Sequence, residues 1–328
     1  MSLETILPFL QPIAHLITDP SVSEIMVNGD QSVFIQRNGH MQPVEATIEP
    51  KYLSTAVKRI ARSLGEDISE TKPLLDARLP DGSRVAAAFP PCSPGGVTLT
   101  IRKFRPQWFS LAQLVEAGAL PNAVAELLAQ AVRDRQTILV SGGTDTGKTT
   151  FAKALIDCIP ETDRLAVIED TMELKIDHPN VFRFEARKEQ RDVTGKVTVP
   201  AVTIRDLVKA TLRHRPDRLI IGEVRGGEAF DLLDALNTGH AGSICTVHAN
   251  SSRQALSRLA TLTLRADVDM PYHVIQAEIG DLVNLVIHIE RCDGRRFLSE
   301  VVGISGFDAD ANRYRSESLH CLQKITLY

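Results

Sequence analysis

Ser141-Gly142-Gly143-Thr144-Asp145-Thr146-Gly147-Lys148-Thr149-Thr150 is the stretch on which the reading of this chain turns. It fits G-x-x-x-x-G-K-[ST], with Gly142, Gly147, Lys148 and Thr149 in the fixed places. Gln136 to Val140 ahead of it is an apolar, β-branched run of strand length, and Phe151 to Ile159 behind it predicts a helix stopped by Pro160. Glycines let the backbone fold around a triphosphate with its N–H groups turned inward. Lys148 adds a point charge between the β- and γ-phosphates, and the Thr149 hydroxyl is placed to ligate Mg²⁺. The whole loop, Gly143, Thr144, Asp145, Thr146 and Thr150 included, is therefore expected to cradle a nucleoside triphosphate.

Outward from this loop, strand-like and helical patterns alternate from Asn122 onward. Near-continuous apolar runs lie at Arg164–Asp170, Arg218–Val224, Gly242–His248, Leu282–Ile289 and Phe297–Ile304. Helical patterns fall at Ala123–Asp134, Ile204–Arg215, Glu228–Leu236, Arg253–Leu264 and Tyr272–Ile279, and Lys188–Lys196 reads as an exposed loop. This alternation predicts a mostly parallel α/β sheet covered on both faces.

Residues 1–105 read differently, as a smaller α/β domain with antiparallel strands. A helix over residues 3–17 is broken by Pro8 and Pro12. Strands at Glu24–Asn28 and Val33–Arg37 are joined at Gly29-Asp30, and the hairpin signal Asn38-Gly39 leads to a third at Met41–Val44. A helix over Lys51–Leu64 follows, then strands at Leu74–Leu79, Arg84–Phe89 and Val97–Phe104, the first two joined by Pro80-Asp81-Gly82. Arg105 closes this domain, residues 106–121 form a linker and hinge, and 122–328 form the second domain.

With 328 residues, 43% of them hydrophobic and 24% charged, the composition is that of a globular protein large enough for two cores. The net charge of −4 argues against a general polyanion binder. No apolar run approaches the roughly 20 residues of a spanning helix, and Met1-Ser2-Leu3-Glu4 shows no signal-peptide features. The five scattered cysteines predict reduced, mostly buried thiols.

In open α/β sheets, ligands gather at the carboxyl ends of the strands. Glu223 ends one predicted strand, where it would hold Mg²⁺ or take a proton from the attacking water. Glu169, followed by Asp170, ends another and competes for the general-base role. Between Asn237 and Asn250, His240 and His248 sit among small and polar residues, and either is a candidate γ-phosphate sensor. Arg213, Arg215 and Arg225 are candidates to reach phosphate across a subunit interface, with surface ion pairs an equal alternative. Arg84 and Arg102, on strands of the first domain, are candidates to clamp the triphosphate.

Four stretches together resemble a known family. Gly142–Thr150, Ile168–Leu174, Arg213–Gly226 and Thr238–Asn250 are similar to the Walker A, Asp, Walker B and His boxes of the type II/type IV secretion traffic ATPases. Asp19–Gly29, Asp81–Val85 and Leu99–Phe104 resemble the compact branch of conjugation and tight-adherence (Flp) pilus assembly ATPases. The lack of a four-cysteine zinc element and of a long N-terminal extension agrees with that branch. The resemblance implies a RecA-like P-loop NTPase domain behind the smaller domain, and a homohexamer hydrolysing ATP with Mg²⁺ at subunit interfaces. It also implies a seat on the cytoplasmic face of the inner membrane, held by secretion or pilus platform proteins. Carried over, Lys148 and Thr149 bind phosphates and Mg²⁺, Glu169 and Glu223 are the catalytic acids, His240 and His248 match the His box, and Arg84 and Arg102 face nucleotide. One residue departs from the pattern: Asp145 stands where the family has glycine, so a carboxylate would either weaken nucleotide binding or point to solvent.

The expected function is thus a hexameric ATPase whose domain motion powers pilus assembly or macromolecular export. A DNA or RNA translocase is disfavoured by the charge and by one Trp and four Tyr. A nucleotide-gated scaffold with little hydrolysis is kept open by Asp145.

Overall fold

A computed structural model of the chain describes residues 7–29, 32–79, 81–104, 108–191 and 196–322, and every element and count below refers to these residues. Leu3 and Ile6 of the predicted first helix, Asp30 and Pro80 of two predicted turns, the boundary at Arg105 and Pro106, and residues 192–195 of the predicted loop lie outside them. The chain separates into two compact units, Met1–Pro106 and Gln107–Tyr328.

In the first unit a 3-10 turn, Leu7–Ile13, with Pro12 inside it, precedes α1 (Ala14–Thr18), so the predicted helix is in two pieces. Then come β1 (Val22–Val27), β2 (Val33–Arg37), β3 (His40–Val44), α2 (Pro50–Ser63), β4 (Leu74–Arg78), β5 (Arg84–Ala88) and β6 (Thr98–Arg102). The strands form one antiparallel sheet, β3-β2-β1-β6-β5-β4. Its alternate residues Ile25, Ile35, Val85, Leu99 and Ile101 share a core with Leu53, Val57 and Ile60 from one stripe of α2.

The second unit opens with α3 (Leu111–Glu116) and α4 (Asn122–Arg133), followed by β7 (Ile138–Gly142), α5 (Lys148–Ile156), β8 (Leu165–Glu169), β9 (Val181–Glu185), β10 (Gln190–Arg191) and β11 (Val197–Val199). After these come α6 (Ile204–Thr211), β12 (Arg218–Val224), α7 (Glu228–Asn237), β13 (Ile244–His248), α8 (Ser252–Leu264), α9 (Tyr272–Leu282), β14 (Leu285–Cys292), β15 (Arg295–Asp308) and β16 (Arg313–Cys321). The main sheet runs β16-β15-β14-β7-β13-β12-β8-β9. From β14 to β9 it is parallel, and β15 and β16 add an antiparallel edge.

Each central strand is apolar on both faces because each face meets its own helices. Ile138, Val140, Leu165, Val167, Ile220, Ile244 and Ile287 pack with residues of α3, α4 and α5. Their neighbours Leu139, Ile168, Leu219, Ile221, Cys245, Val247 and Val286 pack with α6, α7, α8 and α9. At about 1.5–3 kcal/mol for each large aliphatic side chain buried, these two layers dominate the stability of the unit.

The structure departs from the sequence-based expectation in several places. The stretch read as a linker holds α3, opened by a capping box in which Gln113 N donates to Ser110 Oγ and Ser110 N to Gln113 Oε1. Leu111 and Leu114 are buried in the second unit's core. The loop at 188–196 contains β10, which pairs with β11. Edge strands β9 and β16 were not expected, because their half-exposed, charged sequences lack an apolar run. The cysteines are free, as expected, but Cys92, Cys292 and Cys321 are exposed, so the thiols are not mostly buried. Cys92 lies in a loop, Cys292 at the end of β14 beside its hairpin turn and Cys321 at the end of edge strand β16, whereas Cys245, in central β13, is buried and its thiol is pushed up to about 12 by that burial.

Candidate functional site

The loop between β7 and α5 closes where Gly147 takes a left-handed φ of 93° as the residue preceding the first turn of α5. A side chain there would be strained, and its Cβ would also meet Cδ of Arg296 at 3.2 Å. The first turn of α5 leaves its backbone N–H groups without intrahelical partners and carries the positive end of the helix dipole. Lys148, first residue of α5, folds back so that its Nζ donates to Gly143 O at 2.6 Å and Gly142 O at 3.1 Å. Thr146 Oγ1 donates to Gly143 O at 3.0 Å. Thr149 and Thr150 follow in the same turn, both half-buried. First-turn N–H groups, a helix dipole and one ammonium make a cradle suited to phosphate.

Parallel register brings further groups to the same edge of the sheet. His248 pairs with Gly142 across β13 and β7, and Ile289 of β14 pairs with Gly142 from the other side. Glu223, next to last in β12, accepts a 2.8 Å bond from Arg225 Nη2 on its Oε2. Burial pushes the Glu223 carboxyl up, but the bond and charge of Arg225, helped by Lys148 and His248, hold it below its ordinary value. Arg225, Lys148 and His248 therefore all act on the Glu223 carboxyl.

Glu169 ends β8 and is 4% exposed. Its Oε1 accepts from the N–H groups of Glu173 and Leu174 at 3.0 Å each, while its Oε2 is buried and has no hydrogen-bond partner. Burial pushes its carboxyl above the usual range, against those two bonds and the charge of Arg183. A Cβ on Gly222 would come within 3.0 Å of Glu169 Cγ, so glycine in β12 makes the space this acid occupies. A buried carboxylate with one unsatisfied oxygen is costly for stability, and such costs concentrate at sites of function.

His240 is not brought to this edge. Its Nδ1 faces Ala235 O at 2.9 Å at the end of α7, and it lies ahead of β13, whereas His248 ends that strand. The four steps from Ile244 to His248 alone span roughly 13 Å, at about 3.3 Å per residue. Arg213 and Arg215 precede β12 and are exposed beside the same amino edge. Arg84 and Arg102 face each other across β5 and β6, with Glu24 opposite Arg102 on β1. They belong to the first unit.

Asp145, at φ 59°, neither points to solvent nor bears on the cradle as a bare charge. Its carboxylate is bonded by Arg291 Nη1 and, at 2.7 Å, by Arg296 Nη2. Neither arginine was singled out from sequence. The readable signal was Asp293-Gly294, a hairpin dipeptide whose two positive φ angles carry β14 and β15 past the loop.

A family model described as "Type II/IV secretion system protein" matches residues 9–319. The conjugal transfer protein TrbB of Rhizobium radiobacter is 34% identical over 304 residues, covering 92% of this chain and 88% of that protein. The type IV secretion system protein VirB11 of Brucella suis biovar 1 is 33% identical over 326 residues, covering 89% and 88%. In fold, the ATPase DotB of Legionella pneumophila is similar with a TM-score of 0.60 at 19% identity, covering 91% of this chain and 80% of that one. The parallel sheet of the second unit is accordingly a RecA-like ATPase fold.

Proposed function

The chain belongs to the type II/IV secretion system protein family, and from that premise we propose that it is a motor ATPase driving pilus assembly or the transfer of macromolecules through a secretion channel. The observation that carries the proposal is the parallel register that sets Glu223 of β12, His248 of β13 and the Gly142-to-Lys148 loop after β7 at the carboxyl edge of one sheet. Relatives named for conjugal transfer and type IV secretion support the channel setting.

Lys148 grips the β- and γ-phosphates after its ammonium leaves the carbonyls of Gly142 and Gly143, and the N–H groups of residues 143–150 hold the remaining oxygens. Glu223, kept ionised by Arg225, orients the attacking water and takes its proton. Glu169 backs it from the neighbouring strand, and His248 senses the γ-phosphate. Thr149 and Glu223 fit Mg²⁺ as hard oxygen donors, and no three His, Cys, Asp or Glu side chains among the described residues gather to cage a metal. That suits an ion held by one or two side chains plus substrate phosphates. When bound, Mg²⁺ would neutralise charge on the phosphate oxygens.

The working form proposed is a homohexamer with its sites completed between subunits, seated by platform proteins on the cytoplasmic face of the inner membrane. No helix among the described residues is long and apolar enough to cross a bilayer. Asp145 was the feature favouring a scaffold with little hydrolysis, and its pairing with Arg291 and Arg296 removes that motive.

Phosphate release per subunit, measured over a range of protein concentrations with light scattering alongside, tests the proposal. Release should rise as rings assemble. Equal release from monomers would contradict the interface site, and no release at any concentration would contradict the ATPase.

A further inference from the structure

From the contacts around Asp145 we infer that Arg291 and Arg296 are positioning residues for nucleotide: a two-arginine clasp that neutralises Asp145 and fixes the crown of the phosphate loop. The inference rests on the nucleotide site proposed above and concerns residues given no part in it. Asp145 and the arginines are 146 and 151 residues apart, and strand register brings them together. Ile289 pairs with Gly142, so β14 runs on past the loop, and Arg291 faces Arg296 directly across β14 and β15. Opposed residues of an antiparallel pair share a face, and both guanidinia converge on one carboxylate.

Arg296 does more than pair charge. Its stem lies over Gly147, its Nε donates to the main-chain O of Asp145 at 3.0 Å, and its Nη2 donates to Oδ1 at 2.7 Å. In a trans peptide the C=O and the following N–H point in opposite directions. Gripping Asp145 O from the hairpin side therefore turns the Thr146 N–H away from the hairpin. Asp is one of the few residues other than glycine that tolerates a positive φ, so Asp145 keeps the loop's backbone shape and adds a handle that glycine lacks.

The electrostatics set the consequence. A bare carboxylate in a phosphate cradle repels the ligand, whereas the guanidinia bonded to Asp145 offset its charge. The side chains of Asp145 and Arg291 are 28% and 23% exposed, so their charges are less screened by water than those of a surface pair, while Arg296 is 48% exposed. Removing the arginines should weaken nucleotide binding, and removing the acid as well should restore it. That reversal is the signature of neutralisation.

The test is a titration of the full-length protein with a fluorescent ATP analogue, run beside thermal unfolding without nucleotide. R291Q/R296Q should raise the Kd about tenfold or more. Adding Asp145→Asn to that pair should recover most of the loss, and R291K/R296K, which keeps the charges, should do the same. The clasp is overturned if R291Q/R296Q binds like the parent, or if Asp145→Asn brings no recovery in its background. Should R291Q/R296Q unfold at the assay temperature, the single variants Arg291→Gln and Arg296→Gln, each with and without Asp145→Asn, give the same cycle. Lys148→Ala separates the two ideas. A parent protein that binds no better than Lys148→Ala sinks the nucleotide site itself, whereas a parent that binds well while the arginine variants match it sinks the clasp alone.

Discussion

Arg218 and Glu169 stand on neighbouring strands, β12 and β8, at opposite edges of the large sheet. At the amino edge Arg218 is 1% exposed, yet its guanidinium donates to Asp163 at 2.7 Å and to the carbonyls of Val132 and Gly242. It ties α4, β12 and the approach to β13 together. At the carboxyl edge Glu169 is almost as deeply buried and leaves one oxygen without a partner. The same strands thus end in a satisfied charge on one side and an unsatisfied one on the other. Stability accounts for the first arrangement. The second persists at a cost, as expected where chemistry needs an unpaired acceptor.

The largest effect expected from breaking this contrast is at the amino edge. Arg218→Ala leaves Asp163, whose side chain is 15% exposed, with the longer 3.8 Å ion pair to Arg135 and should cost about 3 kcal/mol of unfolding free energy. Urea unfolding would measure it, and the variant that remains folded should still bind nucleotide. A loss under about 1 kcal/mol would mean water already satisfies this cluster.

Glu223→Gln probes the other edge. The amide keeps the shape but neither accepts a proton as a carboxylate does nor carries charge beside Arg225, so turnover should fall about 100-fold with nucleotide binding retained. If single-turnover assays find binding lost as well, Glu223 acts mainly as a metal holder.

A smaller effect isolates the cost of Glu169. Its carboxyl is raised above 4.5 by burial, so between 4.5 and its folded value the native state binds more protons than the unfolded chain. Stability contributed by this group therefore falls as pH rises through that window, by about 1.4 kcal/mol for each pH unit the window spans. The unfolding free energy of the parent minus that of Glu169→Gln should decline as pH rises above 4.5. A flat difference would show that the acid is effectively solvated.

The smallest effect separates the two histidines. His248→Ala should slow turnover about tenfold or more. His240→Ala, which removes a contact to the end of α7, should cost about 1 kcal/mol of stability or less and leave the rate per folded subunit within about twofold. Steady-state assays corrected for folded fraction decide it, and equal rate losses would place both residues at the nucleotide.

How much of this was legible depended on how local the signal was. The phosphate loop and the runs that became β8, β12 and β13 are readable because glycines, lysine and unbroken apolar stretches report their surroundings within about ten residues. The Ser110-to-Gln113 capping box was equally local and passed unread inside a presumed linker. β9 and β16 lack such a signal: edge strands meet water on one side, and Arg313-Tyr314-Arg315-Ser316-Glu317 has no run to report. His240 misled because eight residues of sequence look short, while an extended strand turns them into opposite edges of a sheet. The partners of Asp145 were out of reach in another way, since only three-dimensional register sets residues 145, 291 and 296 side by side.

If catalysis resides at the carboxyl edge, it should be separable from the stability held at the amino edge. Phosphate release and urea unfolding measured together on Lys148→Ala test that separation most directly. The expected result is release reduced at least about 100-fold with an unfolding free energy within about 1 kcal/mol of the parent. Turnover at the parent rate would contradict it.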